Sequence, residues 1–214
     1  MADISDQRGN RYDVSGNVEA QYVDAAQEVL RNKKNIIDLR TLQVEEEKAL
    51  ARAYEQLFEE VRSDTLMTTD LIRYVHSVIF GGLYEWAGRW RTVHISKPGV
   101  SWPPPDFLSQ AMQEFEKDVL QHYPASSITD DQTFCEAIGH IQGEFLAIHP
   151  FREGNARTIK LVTNLFAVQT GRLPLRYDMT NEGKQVYIDA AKAALLGNYE
   201  PMATVIHAAL TAAR

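Results

Sequence analysis

A short polar turn between two long apolar helical patterns restricts the fold of this chain more than any other feature. Before the turn, apolar residues recur at helical spacing up to Ile148; after it, the pattern resumes at Ala156 and stops near Gly171. Such spacing predicts two amphipathic helices that pack on a common core. Pro150 ends the first helix, because the residue before a proline is disfavoured in helical angles. His149 therefore lies at the edge of a loop.

The turn combines side chains of complementary chemistry. Glu153, Gly154 and Asn155 lead into the N-terminus of the second helix, where unpaired N–H groups and the positive end of the helix dipole form an anion site. Three basic residues surround that terminus: Arg152, Arg157 and Lys160. The carboxylate of Glu153 is a ligand of the kind that Mg²⁺ takes beside phosphates, and His149 is a base that titrates near neutrality. This set of groups is suited to phosphoryl or nucleotidyl transfer.

The stretch resembles the signature of the Fic family, His-x-Phe-x-Asp/Glu-Gly-Asn-Gly-Arg-x-x-Arg. The positions that agree are His149, Phe151, Glu153, Gly154, Asn155 and Arg157. Lys160 is a basic substitute for the last arginine, and Ala156 replaces a glycine. A match of this length is far more specific than a lone glycine pattern. The alternative is a chance loop between two helices.

A second segment supports the resemblance. Residues 84–88, Tyr-Glu-Trp-Ala-Gly, are similar to the tyrosine-tryptophan-alanine-glycine segment that is common in Fic proteins just before their flap. Apolar and polar residues then alternate from Arg91 to Trp102 around a Pro-Gly turn, which predicts a hairpin. In Fic proteins a hairpin at this place, the flap, clamps the side chain of the target by adding a strand to it. The resemblance implies a flap tip formed by Lys97, Pro98, Gly99 and Val100. The alternative is an ordinary surface hairpin.

The resemblance also implies a reaction, because Fic proteins typically transfer AMP from ATP to a protein hydroxyl and release pyrophosphate. His149 would take the proton from a Tyr, Thr or Ser hydroxyl of the target, and Glu153 would hold Mg²⁺. The residues implied to contact ATP are Arg152, Gly154, Asn155, Ala156, Arg157, Lys160 and Tyr187. Within that set, Arg157 would neutralise the departing pyrophosphate and Tyr187 would lie against the adenine. The implied cofactors are ATP and Mg²⁺, and the implied partner is a target protein with a hydroxyl side chain.

The two departures from the signature leave other functions open. Ala156 is costly if its position needs a positive φ and comfortable if it is helical, and the periodicity favours a helical residue. Lys160 supplies positive charge but lacks the planar guanidinium group of arginine, so we expect it to bind a terminal phosphate more weakly than arginine would. The alternatives are transfer of UMP, phosphate or phosphocholine by the same site, or a non-enzymatic relative that binds nucleotide. The presence of both His149 and Glu153 argues against the non-enzymatic alternative.

The remaining periodic segments predict a mainly α fold, a Fic-type helical bundle with one short β-hairpin. Further helices are expected over residues 14–32, 42–61, 69–80, 107–120, 182–196 and 201–212. In the second of these, the acidic run Glu45–Glu47 is typical of a solvated face. We divide the chain into an N-terminal arm, residues 1–32, and a Fic domain with C-terminal helices, residues 33–214.

The arm carries a motif of its own. Many Fic proteins are silenced by a helix with the pattern Ser/Thr-x-x-x-Glu-Gly/Asn, whose glutamate pairs with the last arginine of the signature. Ser15 and Glu19 resemble this pattern, with Ala20 as a departure in its final position. Glu19 would then pair with Lys160 or Arg157 and occupy the place of the terminal phosphate. The alternative is a simple helix cap, with any restraint supplied by a separate, antitoxin-like inhibitor protein.

Composition indicates which kinds of partner and which cellular compartment fit this chain. A net charge of −7 and a pI near 5.4 argue against a nucleic-acid binder, which would show a basic face. The one cysteine, Cys135, cannot form an internal disulfide and fits a reducing compartment. The N-terminus lacks the basic and apolar regions of a signal peptide, and there is no run of about eighteen apolar residues that would span a membrane. These features predict a cytoplasmic protein, and the resemblance to Fic proteins implies a bacterial one.

Overall fold

Seven α-helices and one two-stranded hairpin dominate the described part of the chain, residues 17–62 and 64–214, in this computed structural model. The helices are α1 Leu39–Glu60, α2 Thr69–Phe80, α3 Leu108–Glu114, α4 Asp131–Ile148, α5 Asn155–Gln169, α6 Asn181–Ala194 and α7 Glu200–Thr211. The hairpin pairs β1 (Ser96–Lys97) with β2 (Val100–Ser101) in antiparallel register. The predicted mainly α fold with one short hairpin is confirmed. Within the described ranges, no helix has the length and apolar character needed to cross a membrane.

Helix α4 lies at the centre of the bundle, and its apolar residues are buried on nearly every side. Phe134 and Phe145 are fully buried, and α5, α6 and α7 pack around the helix. Two glycines allow this close approach: a Cβ on Gly139 would lie 2.7 Å from the backbone of α7, and one on Gly143 would lie 2.7 Å from the ring of Tyr199. Truncating a buried phenylalanine typically costs about 3–5 kcal/mol. The core therefore holds the C-terminal end of α4 in a rigid position.

Side-chain caps begin four of the helices at Asp or Thr residues. The capping residues are Asp38 of α1, Thr68 of α2, Asp130 of α4 and Thr180 of α6. Each side-chain oxygen accepts a hydrogen bond from a backbone N–H of the first turn at 2.8–3.1 Å. Such a cap typically contributes about 1 kcal/mol, so the start of these helices follows from local sequence.

The helix predicted over 14–32 is wrong in its described part. Residues 17–32 contain only a 3₁₀ turn, Val18–Ala20, and an isolated β-bridge. The carboxylate of Asp24 accepts from the N–H of Val29 at 2.7 Å. Local bonds of this kind compete with the backbone bonds of a helix, which explains why apolar spacing alone did not produce one.

The helix predicted over 107–120 is shorter and less regular than expected. Helix α3 ends at Glu114 and continues as a π-helical turn, Phe115–Val119, and then as a 3₁₀ turn, Leu120–His122. The apolar side chains of both turns are buried. A change of helical pitch changes which positions face the core. The sequence therefore predicted that this segment is helical, whereas packing against the core determined its pitch.

The acidic run of α1 is not uniformly solvated. Glu45 forms surface ion pairs with Lys34 and Lys48, but Glu46 is only 7% exposed. The prediction of a solvated face is therefore wrong for Glu46. This residue lies one turn after the buried Leu42, on the apolar stripe that faces the core.

Candidate active site

His149 ends α4 in a backbone conformation that few non-glycine residues adopt. Its φ of 52° and ψ of 59° lie in the left-handed region, and Pro150 prevents the helix from continuing. Arg91, before the hairpin, donates from Nε to the His149 carbonyl at 2.9 Å and from its backbone N–H to the Pro150 carbonyl at 2.8 Å. Unusual backbone held by its surroundings is common at functional sites. Here it fixes the direction in which the histidine side chain leaves the helix.

The imidazole of His149 is oriented by two contacts. Its Nδ1 lies 3.2 Å from the carbonyl oxygen of Leu146, and its ring stacks on Trp102 with 4.1 Å between centroids. Because a carbonyl oxygen only accepts, Nδ1 carries the proton and Nε2 keeps its lone pair. Burial lowers the pKa of His149 to about 4. At neutral pH the ring is therefore uncharged, and Nε2 is able to accept a proton.

Gly154 and Asn155 shape the loop between α4 and α5. Gly154 has a φ of 78°, and a Cβ there would lie 2.3 Å from the ring of Phe80, so only glycine fits. The buried side chain of Asn155 makes two bonds of 2.8 Å to the backbone of Phe151, accepting at Oδ1 and donating from Nδ2. In this structure both polar atoms of the side chain are used to close the loop. Ala156 is helical, as predicted, so its methyl group causes no backbone strain.

The carboxylate of Glu153 is the open acidic group of the loop, with 47% of its side chain exposed. Oε1 accepts from the N–H of Gly154 at 2.8 Å and lies 3.3 Å from Nη2 of Arg157. No described residue donates to Oε2, and the described chain contains no group of three or more His, Cys, Asp or Glu side chains suited to a metal. Mg²⁺ is commonly held by one or two carboxylates together with waters and substrate phosphates. A single exposed carboxylate beside a helix N-terminus fits that ion.

His76, fully buried in α2, supports the loop from the core. The N–H of Gly88 donates to its Nδ1 at 2.8 Å, and its Nε2 lies 3.1 Å from the carbonyl oxygen of Glu153. Nδ1 therefore accepts and Nε2–H donates, which requires the neutral ring. Burial lowers the pKa of His76 to about 3, and its ring stacks 3.7 Å from that of Phe151. His76 thus ties the loop to the segment before the hairpin.

Arg157 projects from the first turn of α5 and is held on three sides. Nη1 donates to Oε2 of Glu46 at 2.8 Å, and Nη2 donates to Glu153 at 3.3 Å. The guanidinium carbon lies 4.9 Å from the ring centroid of Phe80. The structure thus brings Arg157 and Glu153 together at the start of α5, as the signature implied.

Lys160, the last basic residue of the signature, has aromatic partners. Its Nζ lies 4.3 Å from the ring centroid of Tyr177 and 3.8 Å from that of Tyr187. Tyr187 is buried and donates its hydroxyl to Gln142 at 2.8 Å. Burial lowers the pKa of Lys160 to about 8. The ring that was expected against adenine therefore covers this ammonium group.

His149 lines a cavity of about 380 Å³ between the hairpin and α6. The predicted flap residues that also line it are Lys97, Pro98 and Val100. Ala156 and Tyr187 also line it, whereas Gly99 is the exposed turn residue with a φ of 79°. Lys160 lines a different cavity, of about 580 Å³, and Tyr187 borders both. The candidate base, the hairpin tip and Ala156 of α5 thus share one cavity, which Glu153 and Arg157 do not line.

Arg152, which the resemblance placed at ATP, contacts the N-terminal arm. It donates from Nε to the carbonyl of Glu19 at 2.8 Å and from Nη2 to the hydroxyl of Tyr22 at 2.7 Å. Its guanidinium carbon also lies 5.7 Å from the centroid of the Tyr22 ring. In this structure Arg152 fastens the arm to the signature loop.

The carboxylate of Glu19 faces the residues before the hairpin. It is 4% exposed and accepts from the backbone N–H of Thr92 at 2.8 Å. The predicted pairing of Glu19 with Lys160 or Arg157 is absent, because the arm is not a helix and its path leads elsewhere. Ser15, the other residue of the predicted inhibitory motif, lies outside the described residues.

Sequence reasoning missed three residues that build the site. They are Glu46, Arg91 and Trp102. Arg91 is 2% exposed, and its side chain donates to three backbone carbonyls, one of which belongs to His149. Trp102 stacks on the imidazole and donates to the carbonyl of Leu146 at 3.0 Å. Sequence signals for these residues were available. Arg91 and Trp102 stand at the two ends of the alternating segment, and Glu46 is a charged residue on the apolar face of a predicted helix.

The amino-acid sequence is similar to those of a known family and of named bacterial proteins. The sequence model of the Fic/DOC family matches residues 66–167. The chain is 30% identical over 192 residues to the protein adenylyltransferase VbhT of Bartonella schoenbuchensis, a match that covers 89% of this chain and 39% of VbhT. It is 27% identical over 184 residues to "Probable protein adenylyltransferase y4lH" of Sinorhizobium fredii, a match that covers 83% of this chain and 89% of y4lH. The chain therefore spans well under half of VbhT and most of y4lH.

Solved structures share the fold. The N-terminal Fic domain of Bep8 from Bartonella sp. 1-1C has a TM-score of 0.76 at 17% identity, covering 88% of this chain and 94% of that one. BepC from Bartonella tribocorum, with bound AMPPNP, has a TM-score of 0.71 at 18% identity, covering 90% and 97%. The signature loop, the hairpin beside it and the fold agree with the sequence match, and residues 66–167 of this chain form a Fic/DOC domain.

Proposed function

We propose that this chain is a protein adenylyltransferase that moves AMP from ATP to the hydroxyl of a Tyr, Thr or Ser side chain in a target protein. The observation that carries the proposal is that His149, with Nε2 unprotonated, shares one cavity with the hairpin tip and with Ala156 at the start of α5. The names of VbhT and y4lH and the AMPPNP bound to BepC support the same reaction.

The proposed chemistry assigns proton transfer to His149. The target hydroxyl gives its proton to Nε2 while its oxygen forms a bond to the α-phosphorus of ATP. The bond between that phosphorus and the oxygen leading to the β-phosphate breaks, and pyrophosphate leaves. The resulting imidazolium is stabilised by the Nδ1–H bond to the Leu146 carbonyl and then loses its proton to solvent.

The first turn of α5 would bind the phosphates. In this structure the N–H of Gly154 donates to Glu153, whereas the N–H groups of Asn155 and Ala156 have no acceptor among the described residues. We expect these two groups to bind phosphate oxygens, and Arg157 to approach the departing pyrophosphate. Glu153 would hold Mg²⁺, which neutralises phosphate charge when bound.

Isotope placement tests the proposed reaction directly. The full chain is incubated with Mg²⁺, a bacterial lysate and ATP labelled at either the α- or the γ-phosphate. We expect protein bands labelled from the α position only, with AMP found on hydroxyl side chains by mass spectrometry. Label from the γ position alone would mean phosphorylation, and label from α-labelled UTP but not ATP would mean uridylylation. No label from any donor would contradict transfer and leave nucleotide binding as the role.

As the pH falls, the protein should lose stability before His149, the proposed base, is protonated. Burial lowers the pKa of His76 to about 3 and that of His149 to about 4, whereas histidine in an unfolded chain titrates near about 6.5. Between these values the unfolded chain binds protons that the native chain does not. Stability present above pH ~6.5 is therefore lost as the pH falls, by up to about 1.4 kcal/mol per pH unit for each histidine.

Thermal melts between about pH 7.5 and pH 4.5 measure this effect. The melting temperature should fall steadily below pH ~6.5, while transfer at pH ~6 stays close to its value at pH ~7.5 because His149 remains neutral. His76→Gln serves as the comparison, since it removes one of the two histidines. An identical dependence on pH in the variant would show that His76 is not a source of the acid sensitivity.

The hairpin tip should affect target modification more than self-modification. Lys97 and Val100 pair across the two strands and line the cavity with His149, so their side chains are placed to contact a docked target segment. We expect Lys97→Ala combined with Val100→Ala to lower target labelling about tenfold or more. The exposed His94, which does not line the cavity, provides the control variant His94→Ala. Equal loss of self-modification in the double variant would indicate a distorted hairpin and not a docking surface.

A further inference from the structure

Glu46 is a buried carboxylate that connects α1 to the signature helix. It lies outside residues 66–167, the range that the family model matches, and its side chain is 9% exposed. Its two oxygens have separate partners: Oε1 accepts from the hydroxyl of Tyr84 at 2.5 Å, and Oε2 accepts from Nη1 of Arg157 at 2.8 Å. The tyrosine belongs to the segment before the hairpin. One carboxylate thus joins three parts of the chain that are far apart in sequence.

The contacts of Arg157 give its guanidinium a defined direction. Side-chain exposure rises from 9% at Glu46 through 29% at Arg157 to 47% at Glu153. Nη1 therefore faces the interior, and Nη2 faces the open side, next to the proposed Mg²⁺ ligand. The ring of Phe80 supports the guanidinium at 4.9 Å, and the hydroxyl of Tyr84 keeps the Glu46 carboxylate from rotating away.

We infer that Glu46 is a positioning residue that holds Arg157 with its Nη2 edge directed at the pyrophosphate portion of the nucleotide. The inference rests on the proposed function, because it specifies how the same site binds the β- and γ-phosphates. An arginine side chain has many rotamers, and a fixed carboxylate behind it removes most of that freedom before the ligand arrives. Glu46 acts through Arg157 and does not itself touch the nucleotide.

Glu46 also has an effect on nucleotide binding that opposes its positioning of Arg157. A carboxylate near the phosphates also repels them, and Glu46→Gln would remove that repulsion. In this structure the guanidinium of Arg157 lies between Glu46 and the open side of the loop, so the repulsion is screened by a positive charge. Orientation, by contrast, depends directly on the 2.8 Å ion pair. We therefore expect the loss of orientation to outweigh the loss of repulsion.

Binding of ATP and AMP to the full chain, measured by calorimetry with Mg²⁺ present, separates these effects. AMP lacks the pyrophosphate portion, so it reports on folding and on the remainder of the site. Glu46→Gln should weaken ATP binding about tenfold and leave AMP binding within about twofold of wild type. The matched control is Glu45→Gln, which removes the same charge one residue away, where the carboxylate pairs with surface lysines. It should change neither affinity.

A double-mutant cycle tests whether Glu46 acts through Arg157. In an Arg157→Ala background, Glu46→Gln should cause no further loss of ATP affinity, because the group it positions is already absent. An ATP-to-AMP affinity ratio that is unchanged or raised in Glu46→Gln would overturn the inference. So would an equal loss of ATP affinity in both backgrounds, which would mean that Glu46 supports the site by another route.

A milder variant keeps the test decisive if Glu46→Gln does not fold. Tyr84→Phe leaves the carboxylate and its charge in place and removes only the bond that orients it. It should lower ATP affinity about threefold with AMP affinity retained, and an unchanged ratio would contradict positioning. These measurements concern binding, whereas α-phosphate labelling of the wild-type chain concerns chemistry. A chain that binds ATP but transfers nothing would refute the proposed function and still decide the role of Glu46.

Discussion

Replacing His149 with alanine should abolish AMP transfer while ATP binding is largely retained. The base acts on the hydroxyl of the target and makes no contact with the nucleotide that binding requires. General base catalysis typically contributes about 10²–10⁴-fold, and we expect a loss at the upper end because the described cavity offers no second unprotonated imidazole. Transfer is measured with α-labelled ATP, and binding is measured by calorimetry.

The backbone at His149 calls for a second variant. Its φ of 52° is unfavourable for alanine, whereas asparagine tolerates the left-handed region. His149→Asn should therefore fold as well as wild type and still lose transfer, since an amide is not a base near neutral pH. His207→Ala, at an exposed position on α7, controls for loss of any histidine. Transfer by His149→Asn at the wild-type rate would refute the assignment of the base.

Removing the charge of Glu153 should produce the second large loss. Glu153→Gln keeps an oxygen for the N–H of Gly154 and for Arg157, the two present donors to Oε1. It removes the negative charge that a hard cation requires. We expect transfer to fall on the order of 10²-fold at a fixed Mg²⁺ concentration, with poor recovery when Mg²⁺ is raised. The measurement is transfer across a series of Mg²⁺ concentrations.

The exposed Glu85 provides the comparison for that experiment. Glu85→Gln removes a carboxylate from the segment before the hairpin and should leave the dependence on Mg²⁺ unchanged. If Glu153→Gln shows the same half-saturating Mg²⁺ concentration as wild type, the ion is held by another group. Loss of transfer with unchanged metal dependence would place the effect of Glu153 on Arg157 instead.

Local sequence was sufficient for the parts of the site that depend on neighbouring residues. Pro150 ends α4, so His149 at the loop edge could be predicted from the dipeptide alone. The helical position of Ala156 and the Pro-Gly turn of the hairpin are local in the same way. Such features follow from backbone sterics within a few residues and from the spacing of apolar side chains.

Local patterns did not identify the bonding partners of three polar side chains. The spacing in the arm suited a helix, but the Asp24 carboxylate bonds to nearby N–H groups instead. Asn155 and Arg152 belong to a stretch suited to phosphate binding, yet one closes the loop and the other fastens the arm. A side-chain donor bonds to whichever acceptor the fold places next to it, and a sequence motif does not identify that acceptor.

The sequence by itself determined the helical class, the signature loop and the chemistry of its histidine, glutamate and arginine, because these are encoded in contiguous residues. Only the tertiary structure decided that Glu46 is buried, since its partner Arg157 is 111 residues away. It likewise decided the pKa of His149, lowered to about 4 by burial, and the aromatic enclosure of Lys160. Burial, pairing and ring contacts are properties of residues that meet in space, and spacing along the chain carries no record of which residues will meet.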